Sequence, residues 1–212
     1  MRLGAVVLCG GESRRMGRSK AWLPFGPERM LQRVVRLVGA VEGMGPIAVV
    51  AAPGQDVPPL PRSVTIVRDP VSGRGPLQGL AAGFAALPDS VDLVYATATD
   101  VPFLQPAWVE RLAALIGEND LVIPTSEGRH HPLAALYRRA AVGPAIDDLL
   151  RRDRLRPVFL IDAVRTRVVD ADELRAADPE LRTLRNLNTP DDYRQALADA
   201  GFEDTGDGAN DF

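Results

Sequence analysis

LGAVVLCGGESRRMGRSK, residues 3–20, is the stretch whose reading decides the fold. Its first six residues form a continuous apolar run rich in valine, the pattern of a strand buried on both faces of a parallel sheet. The run passes directly into Gly10 and Gly11 and then into Arg14, Arg15, Arg18 and Lys20, with no acid among residues 14–20. In open α/β sheets, ligands bind outside the carboxyl ends of the strands, where this loop would lie. The glycines allow close backbone approach, exposed amides can wrap phosphate oxygens, and the basic side chains supply donors for polyphosphate. Gly17 is followed by Arg18, so the GxxxxGK[ST] phosphate loop is absent, and so is the dinucleotide fingerprint GxGxxG.

The same strand pattern recurs at residues 47–52, 64–67 and 92–98. Helical periods fill the intervals. In residues 28–41, Met30, Leu31, Val34, Val35, Leu37 and Val38 make an apolar face. Residues 77–87 are a small-residue helix suited to close packing on a sheet, and residues 106–116 open with proline at a tolerated first-turn position. Alternating strand and helix predicts an α/β fold with a mainly parallel sheet. Further on, residues 120–124, 133–137 and 164–169 read as strands and 141–152 as a helix. Residues 190–200 read as a helix capped by Thr189, with Asp191 and Asp192 in its first turn. Pro58, Pro59 and Pro61 mark a stiff surface loop. No repeat or long linker divides the chain, so residues 1–202 are expected to form one domain.

Composition supports a soluble globular protein. Of 212 residues, 46% are hydrophobic and 25% charged, which suits a packed core and argues against disorder in the body. The formal charge of -3 gives no basis for nucleic-acid binding. That average conceals an acidic end: residues 203–212 hold four acids and no base, and without them the charge becomes +1. The end is glycine-rich and aperiodic, and is expected to be a disordered tail. A single cysteine, Cys9, excludes an intramolecular disulfide and cysteine-rich metal sites, and fits a reducing cytoplasm. No run reaches the roughly 18 apolar residues of a membrane span, and no secretory leader is evident.

Four more segments carry chemistry. Asp69 to Gly79 (DPVSGRGPLQG) places three glycines around Arg74 between a strand and a helix, where a loop either touches a ligand or only turns the chain. Asp100 ends the strand at 92–98, and a carboxylate there beside a polyphosphate site is a natural magnesium ligand. Adjacent His130 and His131 point to opposite faces of a strand, so one is expected to pack or hydrogen-bond and the other to be exposed. Asn186 and Asn188 share one side of an extended segment ahead of the Thr189 cap. Cys9 reads as a small apolar residue at a strand end, with no partner that would make it a nucleophile.

Taken together the motifs resemble a family. LCGGESRRMGRSK is similar to the signature LxGGxSxRMGxxK of Rossmann-like nucleotidyltransferases, with Leu8, Gly10, Gly11, Ser13, Arg15, Met16, Gly17 and Lys20 in register. DxxxGxGPLxG from Asp69, TDVPFL with Asp100, HPLAALY and NLNTPDDY follow in the family's order. The ordered set resembles molybdenum cofactor guanylyltransferase, the MobA family, over residues 3 to about 199.

The resemblance implies a three-layer α/β/α fold and a reaction in which GTP and molybdopterin give the guanine dinucleotide cofactor and pyrophosphate. It implies that Lys20 and Arg15 hold phosphates and that the backbone around Leu8, Cys9, Gly10, Gly11 and Ser13 approaches the nucleotide. By the same pattern Asp69 contacts the nucleotide, with Gly79 at the loop-to-helix junction beside it. Asp100 would hold magnesium, and His131, Asn186 and Asn188 would face the molybdopterin half. Molybdoenzymes or cofactor-insertion proteins are the implied partners, and the cytoplasm the implied location. One departure stands out. Where the family usually presents an Asn after the second strand, this chain has Ala51, Ala52 and Pro53, leaving Gln55 or a backbone group to substitute. The double glycine favours guanine over cytosine. The alternatives are a CTP-dependent cytidylyltransferase on the same acceptor and a non-catalytic nucleotide-binding accessory protein.

Overall fold

The structure is a computed structural model and describes residues 1–10, 19–71 and 73–204. The elements run β1 (Leu3–Leu8), β2 (Pro24–Phe25), β3 (Glu28–Arg29), α1 (Met30–Gly39), β4 (Met44–Ala51), β5 (Val64–Arg68), α2 (Pro76–Ala86), β6 (Leu93–Ala98) and α3 (Pro106–Leu115). They continue with β7 (Leu121–Ser126), β8 (Arg129–His130), β9 (Ala134–Arg138), α4 (Arg139–Arg151), β10 (Thr166–Asp170) and α5 (Pro190–Asp199). The main sheet has the order β10-β7-β9-β6-β1-β4-β5, with β8 paired to β7. β9 runs antiparallel to both of its neighbours, β8 pairs antiparallel with β7, and the other pairings are parallel.

The alternation of side chains along β1 separates two cores. Ala5 and Val7 pack with Leu31, Val34, Val35 and Val38 of α1 and Trp108, Val109 and Leu112 of α3. Val6 and Leu8 pack on the other face with Leu77, Leu80 and Phe84 of α2 and Val142, Ile146 and Leu149 of α4. The result is the three-layer α/β/α arrangement. A third cluster joins Leu23, Phe25, Met30, Phe103, Leu187 and Tyr193, so α5 closes over the small β2–β3 ribbon. Among the described residues no helix is long and apolar enough to cross a membrane.

Some boundaries move. The helix expected from residue 28 begins at Met30, because Glu28 and Arg29 pair with Pro24 and Phe25. The helix expected at 141–152 begins at Arg139, directly after β9. The proline loop is not wholly on the surface: Pro58 is buried, and Val57 and Leu60 pack against the α1 side of the core. Thr189 caps α5 as expected. Its hydroxyl accepts from the Asp192 amide at 3.1 Å, and Asp192 accepts in return from the Thr189 amide at 2.9 Å. The Asp192 carboxyl is held below its ordinary range, first by the Asn188 amide and then by Thr189.

α2 lies against β1 through its glycines. A Cβ at Gly79 would stand 3.1 Å from Leu8 Cδ2, and one at Gly83 would stand 2.5 and 2.7 Å from the two γ-carbons of Val6. Val6 is β-branched on a buried strand and has no room to turn away. Gly83→Ala is therefore expected to destabilise the fold by about 2 kcal/mol, overpacking outweighing the gain in helix propensity. Urea denaturation checks this, and an unchanged or higher midpoint would show that the helix lifts freely.

Candidate active site

The β6 strand delivers Asp100. Thr99, buried, donates both its amide (3.0 Å) and its hydroxyl (3.2 Å) to the Leu8 carbonyl at the end of β1. The next residue, Asp100, is thereby fixed where the two central strands end. Its own carbonyl accepts from the Leu187 amide at 2.9 Å, which ties the strand end to the segment before α5. Arg33 of α1 adds a bond from Nε to the Pro102 carbonyl at 2.7 Å.

Lys20 reaches the same point from a 3-10 turn, Lys20–Trp22, anchored by buried Ala21. Its Nζ donates to Asp100 Oδ2 at 2.8 Å and to Asn188 Oδ1 at 3.2 Å. Asn186 Nδ2 donates to Asp100 Oδ1 at 3.4 Å. Leu187 between the asparagines is buried, so both of their side chains face outward onto this cluster. The asparagines thus lie against Lys20 and Asp100. The ion pair is only partly buried, at 20% and 14% side-chain exposure, and stays open to a ligand. Two hard oxygens, Asp100 Oδ2 and Asn188 Oδ1, are turned on one positive charge, a donor set that fits magnesium or a similar cation. Among the described residues no cluster of three or more His, Cys, Asp or Glu could hold a metal alone. A metal here would complete its shell with water and substrate phosphates, as magnesium ordinarily does.

Gly11, Ser13 and Arg15 lie outside the described residues. The Gly10 amide donates to the Val50 carbonyl at 3.1 Å, and a Cβ there would stand 3.0 Å from the Ala52 nitrogen. Its described close approach is thus to Ala52, just after β4. Cys9 is buried, and burial raises its thiol pKa, so it is no ready nucleophile. Asp69 follows β5 and accepts from the Val71 amide at 3.0 Å, a local turn with no described bond to the Lys20–Asp100 cluster. Gly79 is buried inside α2 against Leu8, past the junction itself.

His131 stands beside the end of β7, its Nε2 2.7 Å from Ser126 Oγ, while His130 is exposed. Burial and the neighbouring His130 and Arg129 lower the His131 pKa, favouring the neutral ring. One arrangement gave no sequence signal. Arg74 donates to Asp153 at 2.9 Å and to the Leu150 carbonyl, holding the Gly73–Gly75 loop to the end of α4. Arg152, Arg154 and Arg156, in the segment that follows α4, are exposed.

A doubly covered, mainly parallel sheet with a lysine, a carboxylate and two amides at its carboxyl edge is a Rossmann-like fold with a polar site where such sheets bind ligands. The family model described as MobA-like NTP transferase domain matches residues 5–167. The chain belongs to the MobA-like NTP transferase family. It is 39% identical over 204 residues to the probable molybdenum cofactor guanylyltransferase of Mycobacterium avium (strain 104), spanning 94% of this chain and 97% of that one. Among solved structures it is similar to molybdopterin-guanine dinucleotide biosynthesis protein A from Archaeoglobus fulgidus, with a TM-score of 0.74 and 20% identity over 93% of this chain and 98% of that one. It is also similar to 2-C-methyl-D-erythritol 4-phosphate cytidylyltransferase from Thermus thermophilus, with a TM-score of 0.70 and 17% identity over 95% and 100%. At these identities the two structures speak for the fold, and the fold alone does not choose the base.

Proposed function

We propose that the protein transfers the guanylyl group of GTP to the terminal phosphate of molybdopterin, giving molybdopterin guanine dinucleotide and pyrophosphate. The observation that carries the reading is the convergence of Lys20, Asp100 and Asn188 at the end of β1 and β6, in a chain with a guanylyltransferase relative along nearly its whole length.

In this reaction an oxygen of the acceptor phosphate forms a bond to the α-phosphorus, and the bond from that phosphorus to the bridging oxygen of the β-phosphate breaks. No protein atom need bond to substrate, so positioning and charge neutralisation supply the catalysis. Asp100 and Asn188 are the residues that would hold magnesium, which supplies charge neutralisation on the phosphate oxygens when bound. Lys20, and Arg15 by its place in the signature, neutralise charge on the α- and β-phosphates. Asp69 and the backbone from Leu8 onward flank the nucleotide. His131, with Ser126 and the arginines after α4, lies on the acceptor side, where a phosphorylated pterin needs donors. A GTP-consuming step belongs where nucleoside triphosphate is supplied, which places it in the cytoplasm. Its unstable product favours handover to molybdoenzymes or insertion proteins.

The test is a donor screen with GTP, CTP, ATP and UTP, each with molybdopterin, reading pyrophosphate and product mass. GTP is expected to be the preferred donor. Preference for CTP would make the protein a cytidylyltransferase, and tight GTP binding without pyrophosphate would make it an accessory protein.

A further inference from the structure

We infer that Gln55 is a positioning residue for the nucleotide, joining the two described chain segments that flank residues 11–18. The inference rests on the proposed guanylyl transfer and deepens it. Gln55 Oε1 accepts from the Ala52 amide at 2.9 Å. Its Nε2 donates to the Cys9 carbonyl at 3.2 Å and to Ser19 Oγ at 3.2 Å, and lies 3.4 Å from Cys9 Sγ. Both amide hydrogens and the amide oxygen are therefore in use. The orientation follows from the neighbours: a flipped amide would set N–H against the Ala52 N–H and C=O against the Cys9 carbonyl.

The residue is itself held firmly. Its amide closes a turn onto the Ala52 carbonyl at 3.1 Å, and its carbonyl accepts from Arg68 Nη1 on β5. Arg68 also reaches the Ala52 carbonyl at 3.5 Å. Gly10 packs on this same turn, since a Cβ there would meet the Ala52 nitrogen at 3.0 Å. On one side Gln55 thus sets the Cys9–Gly10 peptide, where the backbone leaves β1. On the other it holds Ser19, whose carbonyl begins the turn carrying Lys20 by accepting from the Trp22 amide at 3.1 Å. One side chain fixes both the backbone that approaches the nucleotide and the root of the lysine that meets its phosphates. With its donors spent, Gln55 serves position and does not read the base. It stands near where the family usually offers an Asn, and does different work.

The test uses the full chain as wild type, Gln55→Ala, Gln55→Glu and Arg68→Met, measuring kcat, KM for each substrate, the GTP-to-CTP preference, GTP affinity by calorimetry and Tm. Loss of two or three neutral hydrogen bonds in Gln55→Ala is expected to raise KM and Kd for GTP about tenfold, with KM for molybdopterin and the donor preference unchanged. Gln55→Glu keeps the acceptor for Ala52 but offers no donor, and is expected to lose more. Arg68→Met loosens the same turn from outside and is expected to show a smaller rise in the same KM. Unchanged KM and Kd for GTP in the two Gln55 variants would overturn the inference. So would a fall in kcat with every KM unchanged and Tm lowered, or collapse of the GTP-to-CTP preference. A wild type that neither binds nor uses GTP would take down the guanylyl-transfer reading, and this inference with it.

Discussion

Asp100→Asn is expected to cut pyrophosphate release from GTP and molybdopterin by at least about a thousandfold while leaving the fold in place. The substitution keeps shape and removes charge. Asp100 is set by its backbone, through Thr99 on the Leu8 carbonyl and Leu187 on its own carbonyl, and neither bond involves the carboxylate. The lost ion pair with Lys20 is partly open to water and contributes on the order of 1 kcal/mol, so Tm should move little. What is lost is the anionic oxygen that, with Asn188 Oδ1, would hold a divalent cation against the phosphates. A second readout separates this role from simple damage. GTP binding in chelator should match wild type, and the gain in binding on adding magnesium should vanish. Normal turnover by the variant would sink the metal assignment.

Such a prediction can be framed because the candidate residues were marked in residues 3–20 and 97–100, where an apolar run ends in glycines or an aspartate. The central strands were legible for the same reason: a strand buried on both faces needs a continuous apolar run, and β1 is buried at all six positions, whereas β5, read in the same way, lies at the sheet edge with Ile66 exposed. The α5 cap was legible because Thr189 and Asp192 satisfy each other within one turn. The short strands β2, β3 and β8 were not, since two-residue strands have no period to detect. Pro58 looked like a surface residue because its burial depends on Val57 and Leu60 settling on a core built from distant segments.

The grouping of the asparagines was hidden for a similar reason. Lys20 is 80 residues from Asp100 and 168 from Asn188, and only the closing of α5 over the β2–β3 ribbon brings them together. Gln55 was marked in the sequence only as a substitute for the family's Asn after the second strand, and nothing there pointed to its contacts with the segments on either side of residues 11–18. Its importance lies in three hydrogen bonds to residues 3, 36 and 46 positions away.

The juxtaposition of Lys20 with Asp100 and Asn188 gives the second large prediction a split sign. In the structure the Lys20 ammonium lies between Asp100 Oδ2 and Asn188 Oδ1, the two oxygens that a divalent cation would need. Lysine carries a compact charge on a flexible stem, so it can leave Asp100 and turn onto a phosphate when one arrives. Lys20→Ala is therefore expected to lower kcat/KM for GTP by about a hundred- to a thousandfold, or roughly 3–4 kcal/mol of transition-state stabilisation. In the same variant, binding of manganese without nucleotide, read by electron paramagnetic resonance, is expected to tighten, because the competing ammonium is gone. Lys20→Arg should not restore the rate, since a planar fork cannot place its charge where the ammonium would sit. A lysine that merely braced the fold would weaken both metal binding and turnover together with Tm. Unchanged kcat/KM in Lys20→Ala would remove the residue from the reaction altogether.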